Sequence, residues 1–360
     1  MCSLRDYPAG IRRLREPPSP DESIAFMPDA MSVMKNEMLP EDHVSHFSAL
    51  LNGEEFRTAL NRLFVEEWHW GPLEELRLRP FKAHEDRCTF EVSGRTGEMW
   101  RSVIGKIHSV DRSDSFSALQ ALVRSGFGPQ SEFSISQPLA YLPSLHILIE
   151  EKIQGKWVME VFLDGTTEEQ LEAARRSGAW LGRFHTIAPR VGDIDGPGDL
   201  LASIHYYANQ VRKFGESFAI KSDTLLQRIE SAKPNSAAID FRAGHGSFIP
   251  EHVFLNGTRT IVIDIDEHDI ADPSRDLAWF AVSLQRLGLK KLGSIRERDT
   301  VVDEFLGAYR EARGEQTMKN FPFFKAAECL HRAHRDLYKR ETPIPQWADI
   351  MLNEGLRILP

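Results

Sequence analysis

The stretch FRAGHGSFIPEHVFL, residues 241–255, sets two imidazoles and a hydroxyl close together: His245, Ser247 and His252. A carboxylate, Asp264, follows in VIDID, and Lys106 stands far upstream in the apolar run SVIGKIHS. Phosphoryl transfer asks for parts of this kind: a group that orients the attacking hydroxyl and a carboxylate that holds a divalent cation. Ser247 can orient a hydroxyl by hydrogen bonding but is not an anionic base at neutral pH. Mg2+ prefers oxygen donors, so an imidazole at His252 suits transition metals better. The plain alternatives are a solvent-facing strand lysine at Lys106 and a loop residue near bulk water at His252.

Such residues need elements to hold them. Residues 1–40, rich in Pro, Met and charge, read as a poorly ordered extension. Helical spacing follows at Leu51, Phe56, Leu60 and Phe64. LEELRLRPF, RCTFEVSG and MWRSVIGKIHS read as strands, with Gly94 and the GRTGE segment as the turn between the last two. FSALQALVRSGFG is a helix stopped at Gly126, and PLAYLPSLHILIEEKI gives two strands split at Pro143-Ser144. Beyond Gly155 the pattern turns helical. A capping box, Thr166 to Glu169 or Thr167 to Gln170, opens a helix that ends near His185, where the dipole favours an imidazole. Asn256-Gly257 predicts a hairpin between EHVFL and TRTIVIDID, and helices resume after Pro273. Trp279 and Phe280 read as core.

The whole chain sets the outer limits. Its 360 residues leave room for two lobes, and 41% hydrophobic with 27% charged residues suits a globular protein. A net charge of -9 argues against a dedicated nucleic-acid binder. No apolar run reaches the roughly 18 residues of a membrane span. Cys2, Cys88 and Cys329 are too scattered for a disulfide framework or a metal site, which points to a reducing cytoplasm. The basic segments GIRRLRE and LHRAHRDLYKRE read as a solvated tail and a solvated helix face.

Residues 244–280, GHGSFIPEHVFLNGTRTIVIDIDEHDIADPSRDLAWF, resemble the aminoglycoside phosphotransferase and choline kinase superfamily. Its members commonly read HGDxHPxNxLx and then IDWxxxxxGDPxxDLA. Pro250, Ile263-Asp264 and the block from Asp272 to Ala278 match, whereas Ser247 stands in the Asp place and His252 in the Asn place. The resemblance implies an α+β, two-lobed protein-kinase-like fold. A small mixed N-lobe with an antiparallel sheet would span residues 41–153, and a larger, mostly helical C-lobe residues 154–360. It implies ATP with Mg2+ or Mn2+ as cofactors and a small-molecule hydroxyl acceptor, an amino-sugar, amino-alcohol or sugar, with no nucleic-acid or membrane partner. By the same resemblance Asp264 and His252 would meet the metal and Lys106 the nucleotide phosphates. The segment around Glu150 and Lys152 would meet adenine through its backbone. His245 would shape the loop and Asp276 would brace it. Lys106 usually has a Glu partner on the next helix; none stands there, and Gln120 is the expected substitute. Asp266 is a candidate stand-in base. The alternative is a pseudokinase, a nucleotide-binding or inert regulatory module.

Overall fold

Strand-forming sequence and the burial it permits build the first unit. In the computed structural model, which describes residues 47, 51–83, 86–265 and 268–359, the chain forms two compact units. One holds the described residues up to Gly155 together with Ile261–Ile265; the other holds Lys156–Thr260 and His268 onward. Residues 1–40 and Asp266 lie outside the described residues.

The first unit opens with helix α1 (Glu54–Arg62) and strands β1 (Glu75–Ala83), β2 (Arg87–Thr96) and β3 (Met99–His108). Helix α2 (Ser113–Leu122), β4 (Phe133–Ile135), β5 (Pro138–Leu142) and β6 (Ile147–Glu151) follow. Five strands form an antiparallel sheet in the order β1-β2-β3-β6-β5. Opposed residues share a face, so Phe90, Val92, Val103, Ile107, Ile147 and Ile149 line one side. They form one core with Phe56, Leu60 and Phe64 from and beside α1. Each such burial stabilises by about 1.5–3 kcal/mol. Gly105 is required by this packing, since a Cβ there would sit 2.4 Å from the Phe90 ring. The turn between β2 and β3 falls at Gly97-Glu98, inside the GRTGE segment, while Gly94 itself lies within β2. Gly94 stays inside β2 because Phe64 and Leu73 occupy the space of a side chain. Gly126, at φ 115°, ends the helical stretch after α2 as expected.

The second unit runs through β7 (Lys156–Trp157), α3 (Val158–Asp164), α4 (Thr167–Ile187), α5 (Pro197–Val211) and α6 (Glu216–Ser231). Next come β8 (Arg242–Gly244), β9 (Val253–Asn256) and β10 (Arg259–Val262), whose last residues belong to the first unit. It closes with β11 (Asp269–Ala271), α7 (Ser274–Leu292), α8 (Asp299–Arg313), α9 (Phe321–Tyr338) and α10 (Pro345–Ile358). Thr166 and Glu169 form the capping box of α4. A Cβ at Gly178 would strike the Phe305 carbonyl, so this glycine lets α4 and α8 approach closely. Pairing of β8 with β11 brings the segment before Ser247 beside the start of α7.

One expectation fails here. His331, Arg332, His334 and Arg335 of the basic segment LHRAHRDLYKRE are buried rather than solvated. Helix α9 packs against α5, α6, α7 and α10, which leaves most of it no free face. Its charges are tolerated because they are paired: Arg286 grips Asp336 with bonds of 2.7 and 2.6 Å, and Glu328 accepts from Arg332 at 2.6 Å. Among the described residues no helix is long and apolar enough to cross a membrane.

Candidate active site

In the second unit a buried carboxylate organises the loop after β8. Asp276, in the first turn of α7, accepts the backbone N–H of His245 at 2.7 Å and that of Gly246 at 3.3 Å. It also accepts from His185 Nε2 at 3.2 Å, while His185 Nδ1 faces Tyr309 Oη at 3.0 Å. Burial pushes the Asp276 carboxyl up, but the His185 hydrogen bond and the Arg275 charge outweigh it and hold the group below the usual carboxylate range. Burial lowers the His185 imidazole, so it stays neutral, and burial raises the Tyr309 phenol to about 12. These states fix the roles: Nε2–H donates to Asp276, and Nδ1 accepts from the phenol. His185 is therefore a strut behind the loop. Arg275 anchors the adjacent β8–β11 pair, donating to both oxygens of Asp269 at 2.6 Å.

The loop itself is almost wholly buried. From Ala243 to Phe254, Ser247 alone is not buried. The Ser247 backbone N–H and its Oγ each lie 3.4 Å from His245 Nδ1. Gly246, at φ 83°, makes this turn possible. The His245 ring packs edge-on to Trp180 and Phe248 and stacks on His252 at 5.7 Å. His252 is 4% exposed, which sets aside the alternative of a loop residue near bulk water. Pro250 opens the short helical turn that carries His252 inward, and Trp157 Nε1 donates to the Glu251 carbonyl at 2.8 Å.

The first unit gathers a second group. Lys106 Nζ lies 3.3 Å from Glu150 and 3.4 Å from Asp264. A carboxylate partner thus comes from β6 where α2 has none. The reason is register: Lys106 pairs with Leu148, so Glu150, two residues on, shares its face. Glu150 lies in β6, between β3 and β5. Lys152 donates to Glu91 at 2.6 Å, and Arg79 does so at 2.8 Å. Asp264 takes φ 64° between buried Ile263 and Ile265, and the Ser136 N–H holds the preceding strand end through the Val262 carbonyl at 3.0 Å. Its side chain is 39% exposed, while those of Lys106 and Glu150 are buried.

Among the described residues no group of three or more His, Cys, Asp or Glu side chains is arranged around a metal position. The Asp264 carboxylate nevertheless fits a hard divalent cation that completes its shell with water and phosphate oxygens. The buried His252 ring offers nitrogen, a poorer match for Mg2+.

The sequence profile of the phosphotransferase enzyme family matches residues 116–321. The chain belongs to the phosphotransferase enzyme family. No curated protein is similar to it in sequence. Solved members of related families share its fold. A choline/ethanolamine kinase family protein from Mesorhizobium loti is 14% identical with a TM-score of 0.52, over 85% of this chain and 94% of that one. Choline kinase from Cryptosporidium parvum is 13% identical with a TM-score of 0.53, over 85% and 95%. The GDP and kanamycin complex of APH(2")-IIIa is 11% identical with a TM-score of 0.55, over 83% and 98%. This phosphotransferase has the two-lobed kinase-like fold that the sequence motifs implied.

Proposed function

We propose that the protein transfers a phosphoryl group from ATP to a hydroxyl of a small molecule, an amino-sugar, amino-alcohol or sugar in the cytoplasm. One observation carries the reading: an apolar sheet fixes Lys106 between two carboxylates, Glu150 and the partly exposed Asp264. A buried lysine with two acidic neighbours is held as a charged, oriented donor, suited to anionic phosphate oxygens. Residues 41–153 would then be the nucleotide lobe and residues 154–360 the acceptor lobe.

Within this reading each residue has a distinct part. Lys106 donates to phosphate oxygens, and Glu150 aims it. Asp264, with His252 as a further candidate, would hold Mg2+ or Mn2+, which when bound neutralises charge on the phosphates. The backbone around Glu150 and Lys152 would border the base. Ser247 orients the acceptor hydroxyl, and Asp276 keeps the loop in shape through its bonds to His245 and Gly246. Phosphoryl transfer depends mainly on positioning and charge neutralisation, so a serine in this place is compatible with turnover.

A ligand that binds only the folded state raises apparent stability. Thermal unfolding with millimolar ATP and Mg2+ or Mn2+ should therefore shift upward in the wild type and not in Lys106→Ala or Asp264→Ala. ADP release across a panel of amino-sugars, amino-alcohols and sugars then tests turnover. Binding without release by any acceptor would favour the pseudokinase alternative; no thermal shift in the wild type would remove nucleotide binding altogether.

A further inference from the structure

We infer that Ser247 and His245 act as a pair, in which the buried imidazole orients the serine hydroxyl so that its oxygen lone pairs accept the proton side of the incoming acceptor hydroxyl. His245 is thus a positioning residue and Ser247 the group that touches substrate. The inference rests on the phosphotransferase reading above and adds to it what takes over the orienting task in a loop without a carboxylate.

The hydrogen-bond geometry sets the direction. The Ser247 backbone N–H, 3.4 Å from His245 Nδ1, can only donate, so Nδ1 carries the lone pair and the ring proton sits on Nε2. The Ser247 hydroxyl lies at the same distance from the same nitrogen, and with this tautomer it can only donate there, sharing the one lone pair with the amide. Its oxygen then presents acceptor capacity outward. Burial agrees with this polarity. His245 is fully buried and held by Trp180, Phe248 and His252, whereas Ser247 is the one position between Ala243 and Phe254 that reaches solvent. Asp276 fixes the loop backbone at His245 and Gly246, so the imidazole and the hydroxyl are set relative to each other. Contacts of 3.4 Å are long, and such bonds commonly tighten once substrate is bound.

The step balances without an added base. The acceptor oxygen donates its hydrogen bond to Ser247 Oγ and its electron pair to the γ-phosphorus of ATP. The bond from that phosphorus to the bridging oxygen breaks, and its electron pair leaves on ADP. The acceptor proton stays hydrogen-bonded to Ser247 Oγ while the P–O bond forms; the oxygen that then bridges to phosphorus is strongly acidic and afterwards loses that proton to bulk water. Ser247 and His245 keep their own protons throughout.

Two measurements test the pair. Long-range 1H–15N correlation of the imidazoles in the wild-type protein reads the His245 tautomer directly; Nε2–H is expected, and Nδ1–H would overturn the inference, because the serine hydroxyl would then be the acceptor. Second, ADP release to the hydroxyl panel is compared in wild type, Ser247→Ala and Ser247→Thr. Ser247→Ala should lower transfer by about 10- to 100-fold, from the low end of what an oriented proton-handling group contributes. ATP affinity should be unchanged, and Ser247→Thr, which keeps a hydroxyl, should recover most of the rate. Equal rates in wild type and Ser247→Ala would overturn the pairing while leaving the phosphotransferase standing. No release in the wild type with any acceptor would overturn both.

Discussion

Lys106 and Glu150 are diagonal neighbours on one face of the β3–β6 pair, 3.3 Å apart and both buried. Removing one partner of a buried ion pair strands the other. Glu150→Ala should cost on the order of 3 kcal/mol of stability. It should also weaken ATP binding, because Lys106 loses its aim. Urea unfolding and a nucleotide titration check this; an unchanged midpoint would show that the pair contributes nothing to the fold.

Asp276 should make the fold acid-sensitive. Its folded-state pKa lies below the unfolded value of about 3.9, so its stabilisation is present above that pH and is lost as pH falls through the folded value. His185 acts earlier: its folded pKa is lowered, so protonation of the unfolded chain erodes stability below about pH 6.5. Unfolding free energy measured from pH 7 to pH 3 should fall in both stages. Asp276→Asn should flatten the lower stage and destabilise the protein at pH 7 by about 2–4 kcal/mol.

Metal preference should depend on residue 252. With an imidazole at that sequence position, Mn2+ should support nucleotide-dependent stabilisation at least as well as Mg2+. His252→Asn should restore a preference for Mg2+. Thermal shifts with ATP across both cations give the comparison, and identical profiles for the two proteins would exclude a role for His252 at the metal.

A carboxylate introduced at the loop should accelerate transfer. Ser247→Asp supplies an anionic acceptor for the substrate proton, and the gain should approach about 100-fold, at the low end of general-base assistance. ADP release in the presence of an accepted substrate measures it, with Asp264→Ala as the blank. A slower Ser247→Asp enzyme would mean that the site is tuned to a neutral group there.

Much of the scaffold could be read from the chain because its signals are local. The Thr166 box, the Pro143 break and the Gly126 stop each depend on residues within a few positions, and each appears in the fold. The loop brace from Asp276 was readable from the family resemblance. Long-range pairing was not. Glu150 meets Lys106 only once β3 and β6 are in register, and His252 turns inward only because the Pro250 turn is packed. The charged segment of α9 misled for the same reason: its ions look solvated until Arg286 and Asp336 face each other across two helices.

Helix α7 is buried along every residue from Ser274 to Leu289, and its first turn holds the amides of His245 and Gly246 through Asp276. Those two amides therefore cannot meet solvent unless the helix itself is unseated. Although they belong to an irregular loop, their hydrogens should exchange at the pace of the core, on the timescale of global opening rather than of loop fluctuation. The exchange of this loop is thus timed by the packing of α7.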